Sequence, residues 1–196
     1  MTGYKKIKFV SHENAGYGDV RLPDVQMHTT AFWWTLENPG EYLEHWSPSL
    51  LIDALRGAGA ALETVSSIAL MCEPRDIGRT LGSDDANAGA NSAQSWSLES
   101  GYRPTLFLYD ALPGGVGLAR RIFERGDELF QRAARLIDNC RCRSGCPACV
   151  GASITSEALA AGRSSASERK SAASALLDRA LLPVLVSQRH AGNPEV

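Results

Sequence analysis

The chain has 196 residues, of which 44% are hydrophobic, so it is long and apolar enough for one domain with a real core. Its formal net charge is −2, so no overall basic field favours nucleic acid as a partner. The sequence shows no secretory signal and no membrane span, and we expect a cytoplasmic protein without membrane contact.

The first third of the chain predicts two strands and a long helix. Residues 4–10 have strand composition, and the glycine-rich residues 14–18 predict a turn. Residues 25–36 are rich in threonine and aromatic residues and predict a strand buried on most of its surface. Ser47 and Pro48 are typical of an N-cap and a first helical position. Behind them, helical spacing is shown by Leu51, Ala54, Leu55, Ala58, Leu62, Val65 and Ile68.

The middle of the chain leads to a second long helix. We expect a short strand over residues 69–73, a polar surface loop over 82–104 and a compact strand over 105–110. Residues 111–117, here called the glycine loop, precede the helix. Its apolar face is predicted to hold Ala119, Ile122, Phe123, Phe130, Ala133, Ala134 and Ile137.

The C-terminal part predicts a linker, a helix and a frayed end. Residues 152–167 are rich in alanine and serine. The residues that mark a helix beyond them are Leu176, Leu177, Ala180, Leu181 and Val184.

The predicted organisation is one α/β unit with a helical appendage. The α/β core covers residues 1–139, and a four-cysteine zinc-binding loop at 140–151 belongs to the same domain. A helical segment at 152–186 and a flexible tail at 187–196 follow. The fold class is α/β, of the mixed α+β kind, with a small sheet flanked by long helices and the zinc site near the C-terminal end.

Four cysteines fall within ten residues, namely Cys140, Cys142, Cys146 and Cys149. Four soft thiolates with the spacing C-x-C-x3-C-x2-C suit a tetrahedral zinc site. Because four protein ligands leave no open position, such a zinc ion would be structural and not catalytic. The fifth cysteine, Cys72, is predicted to be a small apolar residue in a buried strand.

Other interpretations of the cysteines stay open at this point. An iron–sulfur cluster uses the same ligands, so the spacing does not exclude it, and redox chemistry is a further option. Disulfides are less favoured, because a reducing cytosol is expected and closely spaced cysteines close loops too small to gain much from cross-linking. We therefore expect Zn2+, with an iron–sulfur cluster as the alternative.

Two glycines, Gly114 and Gly115, lie between the strand at 105–110 and the next helix. Backbone N–H groups at such a helix start can bind an anion, which makes both glycines candidate contacts for nucleic-acid phosphate. We favour the alternative, a tight turn that lets the helix pack on the sheet. The segment is not a P-loop, because no Lys-Ser or Lys-Thr follows the glycines.

Two aspartates, Asp76 and Asp110, follow predicted strands. Carboxylates at strand ends can hold Mg2+ for phosphodiester cleavage, so a metal-dependent nuclease is one hypothesis. The interpretation that we favour is capping of loops and helix starts. For His28, Trp33 and Trp34 we expect positions in the core, in place of ligand or base-stacking roles.

Arginines gather around the cysteines. Between residues 120 and 143, seven arginines face four acidic residues, which gives a net charge of +3. Arg132, Arg135, Arg141 and Arg143 are candidate nucleic-acid contacts. The competing interpretation is charge balance, since a zinc ion with four thiolates carries a formal charge of −2.

Four motifs follow one another along the chain. They are H-T-T-A at 28–31, M-C-E-P-R-D-I-G at 71–78, Y-D-A-L-P-G-G-V-G at 109–117 and C-R-C-R-S-G-C-P-A-C-V-G at 140–151. This series resembles the MrfA-like zinc-binding domain at the C-terminal end of DEAD/DEAH-box-type DNA helicases of the mitomycin repair factor A kind; related domains occur in phage-defence proteins. The resemblance covers roughly residues 20–151 and implies that the four cysteines bind zinc.

The resemblance also implies partners. It points to the motor domains of a DNA helicase, in cis or in trans, with DNA as a candidate partner and no small-molecule substrate. The chain departs from the larger family proteins because it has no phosphate-binding lysine loop and no Asp-Glu-x-His or Asp-Glu-x-Asp box. We therefore expect no catalytic residue here, in either the accessory end of a larger helicase or a stand-alone homologue.

Three hypotheses for the function follow. The first is a zinc-binding accessory domain of an ATP-dependent DNA helicase, in DNA repair or phage defence, that guides a DNA strand or docks the motor. The second is a metal-dependent nuclease that uses Asp76 and Asp110. The third is a protein–protein docking module without DNA contact.

Overall fold

The computed structural model describes residues 3–19, 26–36, 38–83, 103–152, 164–180 and 187–192. The strands are β1 (Gly3–Ile7), β2 (Asn14–Asp19), β3 (Ala31–Leu36), β4 (Ile77–Ser83), β5 (Pro104–Asp110) and β6 (Ser187–Gly192). The helices are α1 (Pro39–Leu43), α2 (Pro48–Leu70), α3 (Leu118–Glu124), α4 (Gly126–Asp138), α5 (Pro147–Val150) and α6 (Ser164–Ala180).

The main sheet is antiparallel, with strand order β4–β5–β3–β6. In the register of β3 and β5, Trp33 lies opposite Phe107 and Trp34 opposite Leu106. Phe32, Trp34 and Leu106 are almost fully buried, whereas Trp33 and Phe107 are partly exposed. This alternation is expected of a sheet that packs helices against one face.

Helix α2 is the central helix of the layer on this face. Its start is confirmed as predicted, because the Ser47 side chain accepts the backbone N–H three residues later and a proline follows it. Two glycines inside the helix mark close packing. A Cβ at Gly59 would lie 2.6 Å from Leu106 Cδ1 of β5, and one at Gly57 would lie 3.2 Å from Val150 Cβ of α5.

The core joins the sheet to α2, α4 and α6. Phe130 of α4 packs edge-to-face on Trp34, with ring centroids 4.9 Å apart, and on Phe32 at 6.4 Å. Leu176 and Leu177 of α6 are fully buried against this layer. The prediction of a small sheet flanked by long helices is confirmed. Among the described helices, none has both the length and the apolar character needed to cross a membrane.

The N-terminal residues form a separate antiparallel hairpin of β1 and β2. The predicted turn over 14–18 is wrong, because these residues lie in β2 and pair with β1. The chain instead reverses over residues 8–13, where the N–H of Lys8 donates to Glu13 O. His12 takes a left-handed conformation there, with φ at 53°.

Two strand predictions are shifted along the chain. Helix α2 continues to Leu70 and ends at the left-handed Met71, so residues 69–73 are not a strand. The strand begins at Ile77, as β4, and takes in the start of the predicted loop over 82–104. Of the predicted strand over 25–36, only Ala31–Leu36 is strand among the described residues. Residues 84–102 lie outside the described part.

The C-terminal predictions also change. Helix α6 begins at Ser164, inside the predicted linker, and residues 153–163 and 181–186 lie outside the described residues. Residues 187–192, which fall in the predicted flexible tail, form β6 and pair with the free edge of β3. Backbone hydrogen bonds to β3 account for this strand, because an edge strand forms through such bonds without an apolar alternation of its own.

Candidate metal centre

The four cysteine sulfurs of the cysteine loop, residues 140–149, lie within 4.8 Å of one another. Cys140 Sγ is 3.6 Å from Cys146 Sγ, and Cys142 Sγ is 3.5 Å from Cys149 Sγ. Four thiolates bonded tetrahedrally to one zinc ion at 2.3 Å would be about 3.8 Å apart. A cluster of several irons holds its outer thiolates farther apart than one ion does, so the spacing fits a single ion.

The local chain conformation brings the sulfurs together. Cys140 and Cys142 follow the end of α4, and Gly145 turns the chain with a φ of +92°. A Cβ at Gly145 would meet a Val150 side-chain carbon at 2.6 Å, so glycine is needed there for space as well as for conformation. Cys146 then caps α5, and the helical turn places Cys149 on the same side.

The sulfur atoms are linked to one another by hydrogen bonds. Hydrogen bonds from the Cys140 thiol, and then from the backbone N–H groups of Cys149 and Ala148, lower the pKa of the Cys146 thiol to about 6. Burial raises the pKa of Cys149 to about 12. Because neighbouring thiolates repel one another, all four ionise together only around a cation. The donor set therefore suits a soft divalent metal ion.

Helix α6 holds the cysteine loop through its backbone. Lys170 Nζ donates to Cys140 O at 2.7 Å and to Cys142 O at 3.0 Å. Arg169, which is buried, donates to the carbonyl oxygens of residues 150–151. The sequence analysis missed both residues, and the available signal was weak: two adjacent basic residues in a helix otherwise rich in alanine and serine.

The structure places the four candidate arginines at the surface around the cysteine loop. Arg132 and Arg135 are exposed on α4 and line a groove of about 440 Å³ beside the loop. Arg132 also forms an ion pair with Glu128 one turn earlier. Arg141 and Arg143 are exposed on the loop itself. All four arginine residues are thus exposed to solvent.

The carboxylate of Asp110 occupies the start of α3. The Asp110 residue is fully buried, and its two oxygens accept four successive backbone N–H groups. The donors are Val116, Gly117, Leu118 and Ala119, the last at 2.7 Å. These are the groups that an external anion would need, so this helix start is already filled by the protein's own carboxylate.

The two candidate glycines also have internal partners. The N–H of Gly114 donates to His28 O at 2.8 Å, and that of Gly115 donates to Leu112 O at 3.0 Å. Both glycines have positive φ, +80° and +72°, and a Cβ at Gly115 would lie 3.0 Å from Thr30 Oγ1. The structure therefore favours the tight-turn interpretation of the glycine loop over the phosphate-binding one.

Asp76 and Asp110 do not assemble into a magnesium site. Asp76 Oδ2 accepts the N–H of Glu73 at 2.9 Å, as a cap of the 3₁₀ turn that precedes β4. Over the described residues, the cysteine loop is the one group of three or more His, Cys, Asp or Glu side chains arranged to hold a metal ion. Cys72 is partly buried at the end of α2, and His28 is exposed ahead of β3, not in the core.

Comparisons with known proteins agree with this site. Residues 58–150 match the family model of the MrfA Zn-binding domain. The chain is 33% identical over 153 residues to the uncharacterized ATP-dependent helicase YprA of Bacillus subtilis (strain 168). The aligned region covers 78% of this chain and 18% of YprA.

Solved structures show the same relationship. A crystal structure of the DUF1998 helicase MrfA bound to DNA superposes with a TM-score of 0.67 at 30% identity, covering 91% of this chain and 20% of that one. A second MrfA structure, bound to DNA and AMPPNP, gives 0.53 at 32% identity over 82% of this chain and 19% of that one. The chain thus spans about a fifth of these helicases. Residues 58–150, which contain all four cysteines of the metal centre, are the part of the chain that matches the MrfA Zn-binding domain family.

Proposed function

We propose that this chain works as a zinc-stabilised accessory domain of an ATP-dependent DNA helicase, in cis or in trans, and that Cys140, Cys142, Cys146 and Cys149 are the zinc ligands. The observation that carries the proposal is the convergence of the four sulfurs inside the segment that matches the MrfA Zn-binding domain. DNA repair or phage defence, in the cytoplasm, is the setting that we propose for it.

The role of zinc in this proposal is mechanical. Four thiolate ligands would leave no position for a substrate or a water molecule, so the ion would cross-link the chain without reacting. The cross-link would join the end of α4 to α5, which packs on α2 and α4. Lys170 ties the same loop to α6, and Arg169 ties the end of α5 to it. Zinc would thereby keep the loop arginines in one position relative to the helices.

The arginine surface, defined as Arg132, Arg135, Arg141 and Arg143, supplies the DNA contact in this proposal. Its residues are exposed around a loop that zinc would make rigid. Guanidinium groups bind phosphate oxygens through paired hydrogen bonds, which suits contact with a DNA backbone without sequence preference. The domain would then guide a strand while separate motor domains hydrolyse ATP.

Fluorescence anisotropy tests this proposal on the zinc-loaded full chain. Labelled single-stranded and forked DNA are titrated at two salt concentrations, and binding should weaken steeply with salt. The double variant Arg141→Gln, Arg143→Gln should bind less tightly, and its salt slope should fall by about 1 for each phosphate that the variant no longer neutralises.

The matched control is Arg75→Gln. Arg75 is also exposed but pairs with Glu73 on the 3₁₀ turn that precedes β4, outside the cysteine loop, so this variant should bind as the native chain does. Absence of binding to either DNA, or binding indifferent to salt, would contradict strand guidance and favour the docking module, which makes its contacts with protein alone.

A further inference from the structure

The β1–β2 hairpin, residues 3–19, carries unusually exposed apolar side chains. Its strands pair with each other and with no other strand in the described part of the chain. Ile7 is 55% exposed, Tyr17 74%, Val10 89% and Phe9 94%. Side chains this exposed add little buried apolar area to the core. Apolar surface gathered on one exposed element is typical of an interaction site.

One face of the hairpin combines an aromatic ring with a cation. Lys5 lies directly opposite Tyr17 in the register, so these two side chains share one face of the hairpin. Both Lys5 and Tyr17 are exposed. A ring beside an ammonium group is the combination with which proteins hold a single nucleic-acid strand, by base stacking and phosphate contact.

The tip of the hairpin is closed by hydrogen bonds and presents a second ring. Its backbone is closed by the hydrogen bond from Lys8 N to Glu13 O at 2.9 Å and by that from His12 N to Lys8 O at 3.0 Å. The Lys8 ammonium also pairs with Glu13 at 3.0 Å. Phe9 and Val10 lie within this closed loop and project into solvent, so a partner meets a preformed aromatic tip.

The charge of the hairpin favours nucleic acid over protein as the occupant. Three of the four lysines in the chain lie here, at Lys5, Lys6 and Lys8, whereas the rest of the chain relies on sixteen arginines and one lysine. With Glu13 and Asp19 as its acidic residues, the hairpin has a formal net charge of +1. A protein interface would bury the same rings, but lysine is depleted at protein–protein interfaces relative to the rest of the surface.

We propose that this hairpin is a second nucleic-acid-binding element, in which Tyr17 and Phe9 stack on the bases of a single strand and Lys5 contacts its phosphates. The proposal rests on the DNA-processing role given above and adds a contact separate from the arginine surface. Stacking on a ring is indifferent to base identity, so the hairpin would hold strands of any sequence.

The test uses the zinc-loaded full chain and a labelled oligothymidine strand, read by fluorescence anisotropy. Tyr17→Ala and Phe9→Ala should each weaken binding about 5- to 150-fold, the loss of one stacked base. Tyr17→Phe and Phe9→Tyr keep a ring and should bind as the native chain does. Lys5→Gln should lower the salt slope by about 1. Melting temperatures should stay unchanged, because these side chains do not pack on the core.

The two proposals fail in different ways. Native DNA affinity in Tyr17→Ala and Phe9→Ala overturns the hairpin proposal. Reduced DNA affinity in the Arg141→Gln, Arg143→Gln variant in the same assay still supports the arginine surface. The reverse pattern supports the hairpin and contradicts the arginine surface. If the ring variants keep native DNA affinity but no longer bind separate helicase motor domains, the hairpin is a protein-docking element and not a nucleic-acid one.

Discussion

Asp110 is the residue whose role depends most on its neighbours in space. The sequence placed it at the end of a strand, where both a magnesium ligand and a cap were reasonable hypotheses. In the structure its carboxylate accepts four backbone N–H groups and holds the glycine loop against the start of α3. A carboxylate oxygen that already accepts several hydrogen bonds has little capacity left for a metal ion.

The first prediction concerns this carboxylate. Asp110→Asn should lower the free energy of unfolding by about 2 kcal/mol or more, because an amide loses the charge and presents an NH2 group to a buried N–H donor. Urea denaturation measures the loss. Asp76→Asn is the matched control, since Asp76 is partly exposed and caps a single turn, and its loss should be smaller. Equal losses in the two variants would contradict the assigned role.

At the scale of elements, α6 determines how the cysteine loop is held. The family segment ends at residue 150, yet Lys170 reaches back to the carbonyl oxygens of Cys140 and Cys142. These contacts orient the ligands without touching an ion. Outer contacts of this kind usually affect how tightly a metal is bound.

The second prediction follows from that arrangement. Lys170→Met keeps much of the alkyl chain but loses both hydrogen bonds, so zinc affinity should fall about 10- to 100-fold while the helical content stays native. Competition with a coloured chelator measures the affinity, and circular dichroism measures the helix. Glu168→Gln, an exposed change on the same helix, should leave the affinity unchanged. Native affinity in Lys170→Met would show that the contact does not support the site.

For the whole molecule, the cysteine loop and Val150 directly after it lie where three helices meet. Val150 is fully buried, lies close to Gly57 of α2, and has its carbonyl held by Arg169 of α6. A ligand that binds the native state and not the unfolded chain adds its binding free energy to the stability of the native state. Loss of zinc should therefore loosen α2, α4 and α6 together.

The third prediction is a global response to metal removal. A strong chelator should lower the melting temperature, and added Zn2+ should restore it. Cys146→Ser should bind less zinc and melt at a lower temperature than the native chain. Cys72→Ser, which removes the cysteine outside the loop, should keep one zinc per chain by elemental analysis. A melting temperature that does not respond to complete zinc removal would rule out a structural metal.

The sequence alone was sufficient to predict those features that depend on residues close together in the chain. Ser47 and Pro48 marked the start of α2, and the short apolar run in 105–110 marked β5, because a cap and a strand pattern depend on neighbours along the chain. The spacing of the cysteines indicated one metal site for the same reason. Within a short loop, thiolate chemistry and chain length leave few arrangements.

Tertiary structure decided what depends on contacts far apart in the chain. The strand β6 forms because β3 offers a free edge for backbone pairing, and no apolar pattern in residues 187–192 predicts a strand there. The glycines at 57 and 59 weaken a helix by propensity, yet here they let α2 approach α5 and β5. Lys170 and Asp110 likewise obtain their roles from backbone groups that only the fold brings near, because hydrogen bonds of this kind follow distance in space and not position in sequence.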